Sequence, residues 1–178
     1  PTESNMARGE SGVSSDGTDS GAEVAELLKI EEALMGRGGE SLASQELLKH
    51  IVTRFTDEGL VIEVFDIPNS PLFYTGQTIT YPILLDIAQM LVDVTGLVNN
   101  KVAVSGYVRA RPLVVRDNPV WDLSAARANQ MRLLLGELGM PKERFQRVTG
   151  HADRKPAVKN PMAIQNNRLE VILLRDGK

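Results

Sequence analysis

Residues 118–139 read NPVWDLSAARANQMRLLLGELG and predict one long helix with well-defined ends. Asn118 and Pro119 suit the N-cap and the first helical position. Gly139, followed closely by Pro141, ends the helix after Leu138. Because a helix turns by about 100° per residue, its apolar side chains fall on one stripe, which comprises Val120, Leu123, Met131, Leu134 and Leu138.

Arg127 lies in the middle of this stripe, four residues after Leu123 and four before Met131. An arginine is rarely buried without a partner, so this position has two interpretations. The side chain can lay its aliphatic part over the core and keep its charged group in water. Alternatively, its planar guanidinium can bind an anion, most suitably a carboxylate, at the edge of a sheet. The position alone leaves both open.

Four β-rich segments and a further helix are predicted around this helix. The strands are expected over 60–65, over 102–104 with an end at Gly106, over 144–149 and over 169–174. The further helix is expected from about Thr80 to Gly96, and it tolerates Pro82 in its first turn. The order β-α-β-α-β-β predicts an α/β fold, a two-layer sandwich with a mixed sheet, preceded by a helical segment.

The residues before the first of these strands divide into a polar part and a helical part. Residues 1–20 are rich in Ser, Gly, Asp and Thr, so we expect a disordered leader or linker. Residues 21–58 are predicted to be a helical linker, whose first helix starts at Ser20 by capping-box spacing. A second helix is predicted up to Gly59, with Leu48, Ile51, Val52 and Phe55 at helical spacing. Residues 59–178 are predicted to form the folded domain.

Composition excludes several classes of function. The 178 residues have a formal net charge of -3, two histidines and no cysteine. The missing cysteines exclude thiol catalysis, thiolate metal sites and disulfides, and two histidines do not favour a zinc site. The bulk charge gives no support for nucleic-acid binding. The sequence has no phosphate-binding loop, dinucleotide fingerprint or G-x-S-x-G motif, so no cofactor and no metal are expected.

The sequence shows no segment for membrane insertion. No apolar run approaches the ~20 residues that span a bilayer, and residues 1–20 do not resemble a signal peptide. The chain begins at Pro1 instead of Met, so we expect a fragment or a processed form of a longer protein.

Residues 121–129, WDLSAARAN, contain the pattern L-S-x-x-R-A. With its leading Trp-Asp and its final Asn, this stretch resembles the OmpA-like domain family, and within it the flagellar stator protein MotB. Further segments agree in order and spacing over much of residues 59–178, and it is this order that is specific. They are Asp66 with Leu72-Phe73 and Gly76, then Arg147-Val-Thr-Gly150, and finally Asn166-Asn-Arg168-Leu-Glu-Val171.

The resemblance implies a domain that binds peptidoglycan without cleaving it, and therefore not an enzyme. It implies the periplasmic part of a flagellar stator subunit whose full-length form crosses the inner membrane once. The implied partners are peptidoglycan, a second copy of the chain, a MotA-type subunit bound through a transmembrane segment outside these residues, and the flagellar P-ring. The implied wall-binding residues are Arg127, Arg168, Tyr107, Arg109, Asn118, Leu123 and Ser124.

The sequence departs from the family pattern at three positions. In the family, the Asp of a G-H-T-D turn and the Arg of L-S-x-x-R-A hold the amine and the carboxylate of a peptide stem. Here the turn aligns with Gly106-Tyr-Val-Arg109, so a base replaces the acid. Val120 and Asn167 replace a customary Asn and the first Arg of N-R-R. Since two guanidinium groups within ~6 Å repel, Arg109 is expected either to turn to solvent or to converge with Arg127 on one anion.

Two other functions are weighed against the stator anchor. One is a static cell-wall anchor of the OmpA or Pal type, in an outer-membrane protein or a lipoprotein; the helical segment before residue 59 favours the stator. The other is a wall-modifying hydrolase, which needs paired carboxylates or a metal in a cleft. His151 and Asp153 are interpreted mainly as loop residues. Arg109, Arg111, Arg116 and Asp117 form a charged loop, for which a solvated surface is slightly favoured over a role in holding anionic glycan.

Overall fold

The computed structural model describes residues 16–36, 42–112 and 118–177. These residues form four α-helices, five strands and two short 3-10 turns. The helices are α1 (Asp16–Gly36), α2 (Leu42–Leu48), α3 (Pro82–Thr95) and α4 (Val120–Glu137). The strands are β1 (Ile51–Thr56), β2 (Gly59–Phe65), β3 (Val102–Tyr107), β4 (Phe145–Gly150) and β5 (Arg168–Leu174).

The five strands form one mixed sheet in the order β1-β2-β5-β3-β4. β3 and β4 are parallel because α4 crosses between them, and the other neighbouring pairs are antiparallel. The predicted α/β fold with a mixed sheet is therefore confirmed, with one strand more than the sequence suggested.

Strand residues alternate between two faces of the sheet. On one face, apolar residues such as Ile62, Val104 and Val171 join Leu91 of α3 and Met131 of α4 in the main core. On the other face, a small apolar cluster of Val61, Ala103, Ile172 and Leu174 lies beside charged side chains. The helices thus cover one face, and the opposite face carries a separate polar surface.

Two glycines let α4 approach the sheet closely. A Cβ atom on Gly150 would lie 2.5 Å from the Ala125 nitrogen, and one on Gly106 would overlap the Ser124 carbonyl oxygen. Because neither strand carries a side chain at these points, the first half of α4 rests directly on β3 and β4. This contact places Arg127 near the end of β3.

The second predicted helix is wrong beyond Leu48. α2 ends at Leu48, and the strand β1 pairs with β2 through a tight turn between Thr56 and Gly59. The four-residue spacing of Ile51 and Phe55 fits a helix, but alternation also places both on one face of a strand. Pairing with β2 makes residues 51–56 a strand. Within the predicted helical linker 21–58, the helices α1 and α2 therefore end at Leu48.

The first helix starts earlier than predicted. α1 begins at Asp16, so Ser20 lies inside it and does not cap it. Residues 16–20 of the predicted disordered leader 1–20 are therefore helical, and residues 1–15 lie outside the described residues. Leu27, Ile30 and Leu34 form an apolar stripe on α1 that is buried in the main core, where α3 of the same chain packs against it. None of the described helices has the length and apolarity that a bilayer span requires.

Candidate functional site

A pocket of about 620 Å³ lies at the end of the sheet where β2 and β3 lead into loops. Its walls are the loop after β2, the residues that follow β3, the start of α4 and the segment before β5. The charged side chains among the described residues that line it are Asp66, Arg109, Arg111 and Arg127. The pocket is therefore predominantly cationic.

Arg127 is buried, with 6% of its surface exposed, and its charged group is held by protein atoms. Its Nε donates to the Gln77 carbonyl at 3.0 Å and its Nη2 to the Tyr74 carbonyl at 3.2 Å. The guanidinium also lies 4.8 Å from the centre of the Phe73 ring. The interpretation that keeps this group in water is thus wrong. Arg127 holds the loop over residues 73–80, which the Phe73–Thr80 bridge closes.

Asp66 is buried beside this arginine and is fully engaged by hydrogen bonds. Its Oδ1 accepts from the Leu72 backbone at 2.8 Å, and its Oδ2 accepts from Asn167 Nδ2 at 3.1 Å. Burial raises the pKa of Asp66, against these hydrogen bonds and the charges of Arg127 and His50. Burial lowers the pKa of Arg127, and the charge of Asp66 opposes that shift. The two groups therefore favour each other's charged form.

The two other cations of the pocket differ in position. Arg109 is exposed, and its backbone N–H donates to Asn167 Oδ1 at 2.9 Å. Arg111 is half-buried against the loop, since a Cβ atom on Gly76 would lie 3.7 Å from its Nη2. The charge of Arg111 lowers the pKa of Arg127. The exposure of Arg109 agrees with the alternative in which it turns to solvent, and Arg111 is the cation that Arg127 meets.

Comparison with known proteins connects this geometry to a family. No family model matches the chain. Motility protein B of Escherichia coli (strain K12) is 29% identical over 131 residues, which are 72% of this chain and 42% of that protein. The chain thus spans less than half the length of this curated relative. The periplasmic domain of Helicobacter pylori MotB matches with a TM-score of 0.60 and 18% identity, covering 71% of this chain and 80% of that one.

The chain resembles the periplasmic region of MotB and has its OmpA-like fold. The cell wall anchor of the T6SS from Pseudomonas aeruginosa shares the fold, with a TM-score of 0.58 and 22% identity over 75% of this chain and 94% of that one. None of these three proteins is named as an enzyme.

Three of the residues that the OmpA-like pattern suggested line the pocket, namely Arg127, Arg109 and Leu123. Ser124 does not line it. Its buried hydroxyl donates to the Trp121 carbonyl at 3.0 Å and accepts from the Ala152 backbone at 2.9 Å. Ser124 therefore fastens α4 to the end of β4. Asn118 is exposed, and the N-cap position of α4 is Pro119, without a side-chain cap.

The last two predicted residues, Tyr107 and Arg168, lie on the sheet face opposite the helices. The Arg168 guanidinium stacks 3.8 Å from the centre of the Tyr107 ring, and its Nε lies 3.3 Å from Glu63 Oε1. The Tyr107 hydroxyl donates to Glu170 Oε2 at 3.0 Å. Burial and Glu170 raise the pKa of Tyr107, and the same causes raise that of Glu63. Tyr107 and Arg168 therefore do not line the large pocket. They do border a small cavity that Arg127, Asp66 and Asn167 also line.

Sequence reasoning did not assign Asp66, Asn167 or Arg111 to the site. In the sequence, Asp66 belongs to a family motif and Arg111 to a charged loop, and neither pattern indicates a pocket. Asp66 follows the end of β2, and Arg111 follows β3 by a few residues. The strand order brings them together, because β2 and β3 are both antiparallel to β5 and end at the same edge of the sheet.

Proposed function

We propose that this chain is the periplasmic, wall-binding part of a flagellar stator subunit, which holds peptidoglycan non-covalently. The observation that carries the proposal is the buried Arg127, which lines an open pocket in a chain with a MotB-like sequence. The shared fold with a protein named as a cell wall anchor supports it.

The geometry suits the carboxylate of a peptide stem. Two nitrogens of the Arg127 guanidinium are already fixed by loop carbonyls, which leaves Nη1 for a ligand. A guanidinium that is held before binding loses little conformational freedom when an anion arrives. Its hydrogen bonds to a carboxylate are charge-assisted and therefore strong.

The wider assembly belongs to the same proposal. The partners would be a second copy of the chain, a MotA-type subunit and the flagellar P-ring, with one pass of the full-length protein through the inner membrane. The apolar stripe of α1 packs within its own chain, so the proposed dimer rests on the resemblance and not on that stripe. A static OmpA- or Pal-type anchor is the less favoured alternative, because the matched curated relative is a motility protein.

Sedimentation with purified peptidoglycan sacculi tests wall binding. The purified chain should pellet with sacculi, and Arg127→Ala should pellet several-fold less. Because Arg127 also holds the loop, Tyr81→Ala serves as a matched control. It removes the ring that stacks 4.1 Å from Tyr74 and loosens the same loop while keeping the guanidinium. Equal losses in both variants would assign binding to the loop, and no pelleting of the unchanged chain would contradict the proposal.

A chimera separates the stator from a static anchor. The corresponding region of Escherichia coli Motility protein B would be replaced by residues 16–178, and swimming would be measured in soft agar. A stator role predicts partial motility that Arg127→Ala reduces. A chimera that is produced, folded and bound to the wall but immotile would favour the static anchor.

A further inference from the structure

The pocket that contains Arg127 has an unusual charge balance. Among the described residues that line it are three arginines, Arg109, Arg111 and Arg127, and one acid, Asp66. Among residues 16–36, 42–112 and 118–177, neither Arg109 nor Arg111 has an ion-pair partner. The described lining side chains therefore include three positive charges and one negative charge.

Asp66 lines the pocket but offers little surface to a ligand. It is 5% exposed, and both carboxylate oxygens already accept hydrogen bonds from Leu72 and Asn167. A ligand ammonium group would have to share carboxylate oxygens that these two donors already use. The acid thus acts mainly through its charge on Arg127 and offers a ligand little contact surface.

Arg111 and Arg127 act on the same loop from two sides. Arg127 binds the carbonyls of Tyr74 and Gln77, and Arg111 lies against Gly76 between them. The two guanidinium groups are near enough for the charge of Arg111 to disfavour that of Arg127. An anion placed between them would relieve this repulsion, whereas a cation would add to it.

We infer that this pocket selects ligands by negative charge: it takes a peptide end that carries two carboxylates and no free ammonium group, with Arg127 and Arg111 as the two contacts. The inference rests on the proposed function, which it makes specific. It names the part of the wall that is bound, a stem peptide whose side-chain amine is acylated, as in a cross-link. It also makes Arg111 a specificity-determining residue.

Two synthetic peptides test the charge selection. Both end in the same diamino dicarboxylic acid, and they differ only in whether its side-chain amine is free or acetylated. Dissociation constants would be measured by titration calorimetry at low and moderate salt. From Coulomb's law at about 6 Å in a largely aqueous environment, the unchanged chain should prefer the acetylated peptide roughly three- to tenfold. The preference should shrink as salt rises.

Variants assign the preference to Arg111. Arg111→Gln should remove it, and Arg111→Glu should reverse it in favour of the free amine. Arg132→Gln is the matched control, because Arg132 lies on α4 outside the pocket. Its Nε donates a hydrogen bond to Asn129 Oδ1 at 2.9 Å. That variant should keep the preference unchanged.

The outcomes distinguish this inference from the proposed function. Equal affinity for the two peptides, or tighter binding of the free amine, would overturn the inference while sedimentation with sacculi still supported wall binding. Sedimentation without binding of either peptide would also overturn it, since the wall would then be held elsewhere. A normal preference for the acetylated peptide without sedimentation would instead contradict the proposed function.

Discussion

Replacing Arg127 by alanine should destabilise the fold as well as weaken ligand binding. The substitution removes two hydrogen bonds from a charged donor, at 3.0 and 3.2 Å, and the contact with the Phe73 ring. A buried hydrogen bond to a charged group is worth about 1.5–3 kcal/mol. Here the acceptors belong to exposed residues, Tyr74 and Gln77, so water replaces part of each bond. The buried charge also disappears, so we expect a net loss of about 2 kcal/mol.

Urea unfolding followed by circular dichroism measures this loss. For a slope of about 2 kcal/mol per molar urea, the midpoint of Arg127→Ala should fall by about 1 M. Arg132→Ala is the matched control on the same helix. It removes an exposed hydrogen bond to Asn129, which lies three residues earlier on the helix. The free energy of unfolding should therefore change by less than about 0.5 kcal/mol.

Hydrogen exchange shows where the stability is lost. The Tyr74 and Gln77 amides donate to the Ile79 and Tyr74 carbonyls within the loop that Arg127 holds. In Arg127→Ala these two amides should exchange faster by a larger factor than the amides of β5. Equal unfolding midpoints for Arg127→Ala and Arg132→Ala, with unchanged exchange in the loop, would refute the view that Arg127 holds it.

Three further predictions concern the contacts of α4 and the sheet. Ser124→Ala should cost roughly 1–3 kcal/mol in urea unfolding, because the buried Ala152 N–H loses its acceptor. Gly150→Ala should lower the free energy of unfolding by about 3 kcal/mol, because the added Cβ meets the backbone of α4. The control Gly136→Ala should raise it by about 0.5 kcal/mol, because its Cβ has only one contact, at 3.9 Å. Burial, and next the charge of Lys155, lower the pKa of His151 in the folded chain. As the pH falls below about 6.5, the unfolded chain therefore binds this proton before the folded chain does, and the free energy of unfolding decreases. His151→Phe should reduce this loss in unfolding curves at pH 7.5 and 5.5, and an identical pH dependence would contradict the assignment.

The order of elements from residue 59 onward could be predicted because its signals are local. Glycines and prolines mark the ends of α3 and α4, and alternating or continuous apolar residues mark β2 and β5. β1 could not be predicted in the same way. The spacing of Ile51 and Phe55 satisfies both periodicities, and the choice is made by pairing with β2, which a local pattern does not contain.

The sequence predicted Arg127 as a residue of the candidate site, but not the groups that surround it. Arg127 stood out because a cation in an apolar stripe conflicts with its local environment. Its acceptors are backbone carbonyls about fifty residues away, and a carbonyl oxygen has no signature in the sequence. The sheet face on which Arg168 lies could have been predicted from strand alternation. Leu169, Val171 and Leu173 face the helices, so Arg168 must face the other way.

The loop contacts of Arg127 also explain why the pocket remains positively charged. The guanidinium is ordered and desolvated when the chain folds, because the carbonyls of Tyr74 and Gln77 accept its hydrogen bonds. Carbonyl oxygens satisfy these donors but do not neutralise the charge. The carboxylate of the nearby Asp66 accepts hydrogen bonds from Leu72 and Asn167. Folding therefore orders the guanidinium and leaves its charge only partly offset by Asp66. In the proposed function, an incoming carboxylate gains electrostatic energy without having to order the group that binds it.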